Sequence, residues 1–228
     1  MSYYTLITAL PWLPELEHCK QMPLSRIALD QRLTMLLGSD QEQLSLVEAL
    51  YFPDSDSLQG NTDKQLIALW RANLEKVESE TLRQRICFSQ ELVTLMAALR
   101  SRASGLENPE LFHGSGRWLP RIRQHWFEPG FGLEEFFPQI QQIQRVLAKD
   151  NPALLEKLLN QMLWNNLVMC ERQNHFSFES VVCFVLRWGI AERHIRQHGA
   201  EALQKFNRST SQLLAQAGLH QQLEQGVK

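Results

Sequence analysis

The sequence predicts an all-α fold, a multi-helix bundle forming a single domain over residues 1–228. Three observations carry that prediction. Apolar residues recur at helical spacing along most of the chain, capping residues stand ahead of those runs, and no series of alternating strands joined by hairpin turns is present. With 228 residues, 44% of them hydrophobic, the chain is long enough to bury a real core.

Tyr3–Leu10 reads either as a short strand or as the opening of a helix. Ser25 caps a stretch in which Leu29, Leu33, Leu36 and Leu37 recur at helical spacing, and Gly38 closes it. Ser39-x-x-Glu42 is a capping box that opens a second helix through Leu50. Tyr51-Phe52-Pro53 ends it, because proline donates no hydrogen bond and disfavours helix at the residue before it. Asp54 to Asn61 is a polar turn, after which Thr62-x-x-Gln65 opens a third helix bearing Leu66, Leu69, Trp70 and Leu74.

A long helix is expected from Ser79 to Arg102. One row holds Phe88, Leu92, Leu95 and Leu99, and a neighbouring row Leu82, Ile86, Val93 and Met96, opposite Arg83, Gln90, Thr94 and Ser101. That stripe is too wide for a coiled-coil seam and calls for at least two packing neighbours. Asn108-Pro109 and Asn151-Pro152 each set a capping side chain before a proline suited to the first helical position. The first starts a short turn ended by Gly114; the second starts a helix bearing Leu155, Leu158, Leu159, Met162, Leu163, Leu167 and Cys170. Between them, Leu133–Lys149 is a helix interrupted near Pro138. Ser177 opens the most apolar helix, with Val181, Val182, Phe184, Val185, Leu186, Trp188 and Ile190, which belongs at the centre of a bundle. Its last turns become basic at Arg193, His194, Arg196 and His198 before Gly199, and a final helix runs from Ala200 to Ala217. A soft boundary within the domain falls in the 104–132 region.

Composition excludes several classes. The formal net charge is −2 and no apolar run approaches the roughly 18–20 residues that span a bilayer. Met1-Ser2-Tyr3-Tyr4-Thr5 lacks the basic opening of a secretion signal. Cys19, Cys87, Cys170 and Cys183 lie far apart without a C-x-x-C pair and read as buried thiols in a reducing cytoplasm. Charge is uneven: residues 40–80 hold nine acidic residues against Lys64, Arg71 and Lys76. That segment is either a solvated helical face or an acidic docking surface.

Catalytic constellations are missing. Gly114-Ser115-Gly116 lacks the Lys-Ser/Thr ending of a P-loop, and neither G-x-S-x-G nor H-E-x-x-H occurs. His194 and His198 share a helix face, but no third ligand stands near them, so no metal site is expected. Glu134 and Glu135, being adjacent, diverge by about 100° on a helix and form no dyad. No cofactor is indicated. The segment from His113 to Gly132 is the exception to this blandness: Arg117, Trp118, Arg121, Arg123, Trp126, Phe127 and Phe131 interleave arginine with aromatics in an unusually long loop. Such residues favour a protein–protein contact. The competing reading is a loop tucked back onto the bundle by its own aromatics. Nucleic acid is disfavoured as a partner because the chain is acidic and carries no basic helix.

Tyr3-Tyr4-Thr5-Leu6-Ile7-Thr8-Ala9-Leu10-Pro11 resembles the "YYYLVASLP" start of small proteins encoded with bacterial V-type ATPases. Those proteins are similar to the funnel-shaped central-stalk component of the V/A-type ATPase, which bears the letter C in prokaryotes and d in eukaryotes. Leu163-Trp164-Asn165-Asn166-Leu167 is similar to the "LRWNYLDEL" helix of that family, although Gln161-Met162 and Asn166 stand where an arginine and a tyrosine are expected. Phe176-Ser177-Phe178-Glu179 and Leu186-Arg187-Trp188-Gly189-Ile190-Ala191-Glu192-Arg193 follow at suitable spacing, with Gly199 and Phe206 at the closing positions. The resemblance implies a funnel of helices that seats the central shaft on the membrane proteolipid ring, binds no nucleotide and catalyses nothing. It implies a cytoplasmic location, peripheral at the inner face of the membrane, with membrane contact only through the ring. The loop and the acidic segment would then be two different partner surfaces. A reading from another class is a cytoplasmic all-helical chaperone for molybdoenzyme maturation.

Overall fold

The computed structural model describes residues 3–53, 60, 62–149 and 151–216, with 198–216 described through their backbone alone. Among the described residues every regular element is helical. The α-helices are α1 (Tyr3–Ala9), α2 (Arg26–Leu33), α3 (Gly38–Tyr51), α4 (Asp63–Leu74), α5 (Glu80–Ala103), α6 (Leu119–Gln124), α7 (Ile140–Leu147), α8 (Pro152–Gln173) and α9 (Phe178–Gln216). Two 3-10 turns, Leu16–His18 and Pro109–Leu111, complete them. The opening residues therefore form a helix and not a strand.

Local chemistry accounts for most of the starts. Ser25 accepts the Ala28 N–H, Ser79 the Leu82 N–H and Asn151 the Leu154 N–H, each answering a donor that the first turn leaves unpaired. Thr62 and Gln65 form both halves of a capping box, the Thr62 N–H donating to Gln65 Oε1 at 2.9 Å. Ser39 and Glu42 do not. α3 begins two residues earlier, with Leu37 as its cap, and Gly38 opens this helix instead of closing α2. Gly199 likewise does not end a helix, since α9 runs unbroken from Phe178 to Gln216. Around Pro138 the chain forms turns, and the helix begins only at Ile140. The polar turn expected at 54–61 lies, Gly60 apart, outside the described residues, as does the tail after 216.

Two apolar cores form, and α5 and α8 run through both. One joins α1, α2, α3, the first turns of α5, the C-terminal half of α8 and the apolar stretch of α9. Val181, Val182, Val185 and Leu186 are fully buried there, as a helix apolar all round requires. Gly189 permits the end of α3 to approach α9, because a Cβ there would lie 2.7 Å from the Phe52 ring. The other core joins the second half of α5 to Phe112, Trp118, Trp126, Phe131, α7 and Leu155. Within the first core an ion pair accommodates a buried charge: Arg187 pairs with Glu171 and lies 5.1 Å over the Trp164 ring. Cys19, Cys170 and Cys183 are buried and Cys87 half-buried, all as free thiols. The neighbouring Cys170 thiol, together with burial, pushes the Cys183 thiol far up.

No helix among the described residues is long and apolar enough to cross a membrane.

Candidate functional site

The His113–Gly132 segment is built onto the second half of α5. Glu91 is 5% exposed although it is ionisable, and it meets the loop twice: the Arg117 N–H donates to Oε1 at 3.1 Å and the Arg117 guanidinium lies 3.2 Å away. Burial pushes the Glu91 carboxyl above the usual range, opposed by those contacts with Arg117. One turn on, Thr94 Oγ1 accepts the Ser115 N–H at 3.1 Å. Thr94 is thus buried and not on an outward polar side, whereas Val93, expected in the apolar stripe, is 56% exposed. Gly116 is required between these contacts. Its φ is +95°, and a Cβ would stand 2.5 Å from Glu91 Cγ.

The aromatics of the loop turn inward. Trp118, Trp126 and Phe131 are 6%, 1% and 0% exposed, so they are core residues and not accessible partner anchors. The physical reason is plain: α5 leaves an apolar flank that the loop must cover, and the three rings cover it. Trp118 meets Phe137 at 4.8 Å and Trp126 meets Phe131 at 5.6 Å between ring centroids. The Trp126 indole N–H donates to the Leu106 carbonyl at 2.9 Å, satisfying the one polar atom the ring buries. Of the sequence-predicted aromatics only Phe127 faces solvent, at 77% exposure.

The arginines divide in the same way. Arg121 donates to the Gly132 carbonyl at 2.6 Å and stacks 4.7 Å over Phe136, while Arg123 donates to the Phe112 carbonyl at 2.8 Å. Both staple the loop to itself. Arg117 keeps an exposed side chain at the loop's edge, anchored by Glu91. A further staple is not foreseen from the sequence: Arg102, at the end of α5, donates to the Trp126 and Pro129 carbonyls at 3.0 and 2.8 Å and lies 4.4 Å over the Phe131 ring. Its only signal is a basic residue in a last helical turn. Glu91 has a better one, a carboxylate three residues from Phe88 and four from Leu95 on an apolar row.

Arg117 also borders a cleft between α4, α5 and α8, lined by Leu74, Arg83, Arg85, Phe88 and Asn166 among others. Part of the acidic 40–80 segment is partnered within the fold: Asp40 accepts the Tyr3 hydroxyl at 3.0 Å, and Arg26 offsets the charge of Glu48 at 2.7 Å. Among the described residues no group of three or more His, Cys, Asp or Glu is placed to hold a metal. His194 is buried, and the side chain of His198 lies outside the described residues.

No curated protein and no solved structure matches this chain. A family model described as "Protein of unknown function (DUF2764)" matches residues 50–210, which takes in the loop, the cleft and the second core. The chain belongs to the DUF2764 family.

Proposed function

We propose that this protein is a non-catalytic central-stalk subunit of a bacterial V-type ATPase, joining the central shaft to the membrane proteolipid ring. The observation that supports this reading is where the resemblance-bearing segments meet. Tyr3 and Tyr4 from the N-terminal motif lie 6.2 and 5.1 Å from Phe178 and Phe176 of the C-terminal one. Trp164 of the Leu163–Leu167 motif lies beneath Arg187 of the Leu186–Arg193 motif. Residues that resemble one family from both ends of the sequence therefore assemble into one packed unit, as a shared fold requires.

A coupler must also transmit torque without slipping. Close-packed helices deform little, and a loop stapled by Arg102, Arg121 and Arg123 is a stiff attachment rather than a hinge. Exposed aromatics remain for partners at Trp12, Phe127 and Phe136, at 78%, 77% and 62% exposure. Affinity isolation of the tagged protein from gently solubilised membranes tests the proposal. Co-recovery of shaft and ring proteins is expected; recovery of soluble redox enzymes instead would replace it with the chaperone reading.

A further inference from the structure

Anchorage is unequal along α4. Among the described residues it is the one α-helix without a buried side chain, although Leu66, Ile67, Trp70 and Leu74 form a half-buried apolar stripe. Of these, only Trp70 and Leu74 pack against a core among the described residues, and Leu69 beside them is 54% exposed. Past the C-terminal end of α4 the chain is pinned. Val77 is 1% exposed, and Gln43 of α3 clasps the backbone on either side of it, donating to the Lys76 carbonyl at 3.1 Å and accepting the Glu78 N–H at 3.0 Å. The helix is therefore held firmly at one end and reaches no core over its first turns. Its last core contact toward the free end is imperfect. Trp70 Nε1 is shut off from solvent and donates to no acceptor among the described residues. A buried donor left unpaired costs free energy that contact with water returns.

We propose that α4 is a hinged lid, pivoting at Glu75–Lys76 and latched by Trp70, that swings away from α3 and uncovers the patch of the first core beneath the Trp70 ring. Elements that move within a fold are drawn from those with few buried apolar contacts, and α4 fits that description better than its neighbours α3 and α5. Opening withdraws no fully buried side chain of α4 and gives the Trp70 indole N–H to water. Thr62 and Gln65, which form the capping box, both lie in the moving part, so lifting breaks neither of their bonds. Val77 and the Gln43 clasp keep the motion from spreading into α5. The result is an apolar surface that the molecule shows or hides without unfolding. The lid is independent of the coupling role, and neither stands or falls with the other.

Two NMR readouts on the purified full chain test it. Methyl relaxation dispersion should show Leu66 and Ile67 sharing one exchange process, while Val77 and Val47 of α3 stay flat. Solvent exchange of the Trp70 indole N–H should be about tenfold or more faster than that of Trp126 and Trp188, whose indoles donate to core carbonyls. Dilute urea should change the Trp70 rate far less than those two, because a local opening exposes little surface. Trp70→Ala removes the latch and should raise the open population about tenfold or more. Leu69→Ala, at an exposed position, should leave it unchanged. Should Trp70→Ala fail to fold, the two readouts on the unaltered protein decide alone. Flat profiles at Leu66 and Ile67, an exchange process shared with α3, a Trp70 N–H as slow as that of Trp188, or the parental open population in a folded Trp70→Ala protein would each overturn the proposal.

Discussion

Glu91 is the residue on which the placement of the loop turns, and its chemistry gives two predictions. Gly116→Ala forces a side chain into φ +95° and against Glu91 Cγ, so it should cost about 1–3 kcal/mol in urea unfolding. The second concerns pH. Burial raises the Glu91 carboxyl in the folded state, so the folded chain holds that proton more tightly than the unfolded one. Its contribution therefore favours the fold at low pH and declines as pH rises from the unfolded value through the raised folded one. Glu91→Gln, which still accepts the Arg117 N–H, should flatten that segment of the stability–pH curve relative to the parent. An unchanged slope would show that the carboxyl is not so perturbed. At this scale the sequence is least informative. Val93 and Thr94 exchange expected environments because the buried stripe of α5 is rotated toward Glu91, Thr94 and Ala98, the side the loop covers. Helical spacing defines a face, but only the partner that arrives decides how far round it burial extends.

Elements are far more legible, wherever a side chain closes its own helix end. Thr62, Ser79, Asn108 and Asn151 all cap where their spacing predicts. Thr62→Ala should accordingly cost about 1 kcal/mol, measurable as a lower urea midpoint. Glycine misleads at Gly38 and Gly199, because a glycine ends a helix only if the chain turns there. At 199 the helix simply continues, and at 38 a new one begins. The loop is an element in its own right, held by side chains from three directions. Arg102→Met keeps the stem that crosses Phe131 but removes the donors to the Trp126 and Pro129 carbonyls. Amide hydrogen exchange at 126–132 should then accelerate while far-UV circular dichroism stays constant. Protection equal to the parent would mean that packing alone fixes the loop. Replacing Arg121 and Arg123 together would disturb the loop itself, so Phe127 is the cleaner probe of a partner surface.

On the scale of the whole molecule, α5 and α8 tie the two cores together, since residues of each helix lie in both. Ile143→Ala in the second core should cost about 2–5 kcal/mol. Because the helices are shared, heat should unfold that variant in one transition, at the same temperature by tryptophan fluorescence and by circular dichroism. Two separated transitions would mean that the cores are independent units. The all-α class is legible because capping and periodicity agree along most of the chain. The long loop is legible as exceptional, but not its inward turn: an aromatic in an irregular segment bears no period from which its direction can be read. The partner that the exposed Trp12, Phe127 and Phe136 would meet belongs to the coupling proposal, which has a decisive functional consequence. Ion pumping should be compared with ATP hydrolysis in membrane vesicles prepared with and without this protein. A coupling role predicts that its removal abolishes pumping while hydrolysis by the detached head persists; pumping that proceeds at the parental rate without it would contradict the account.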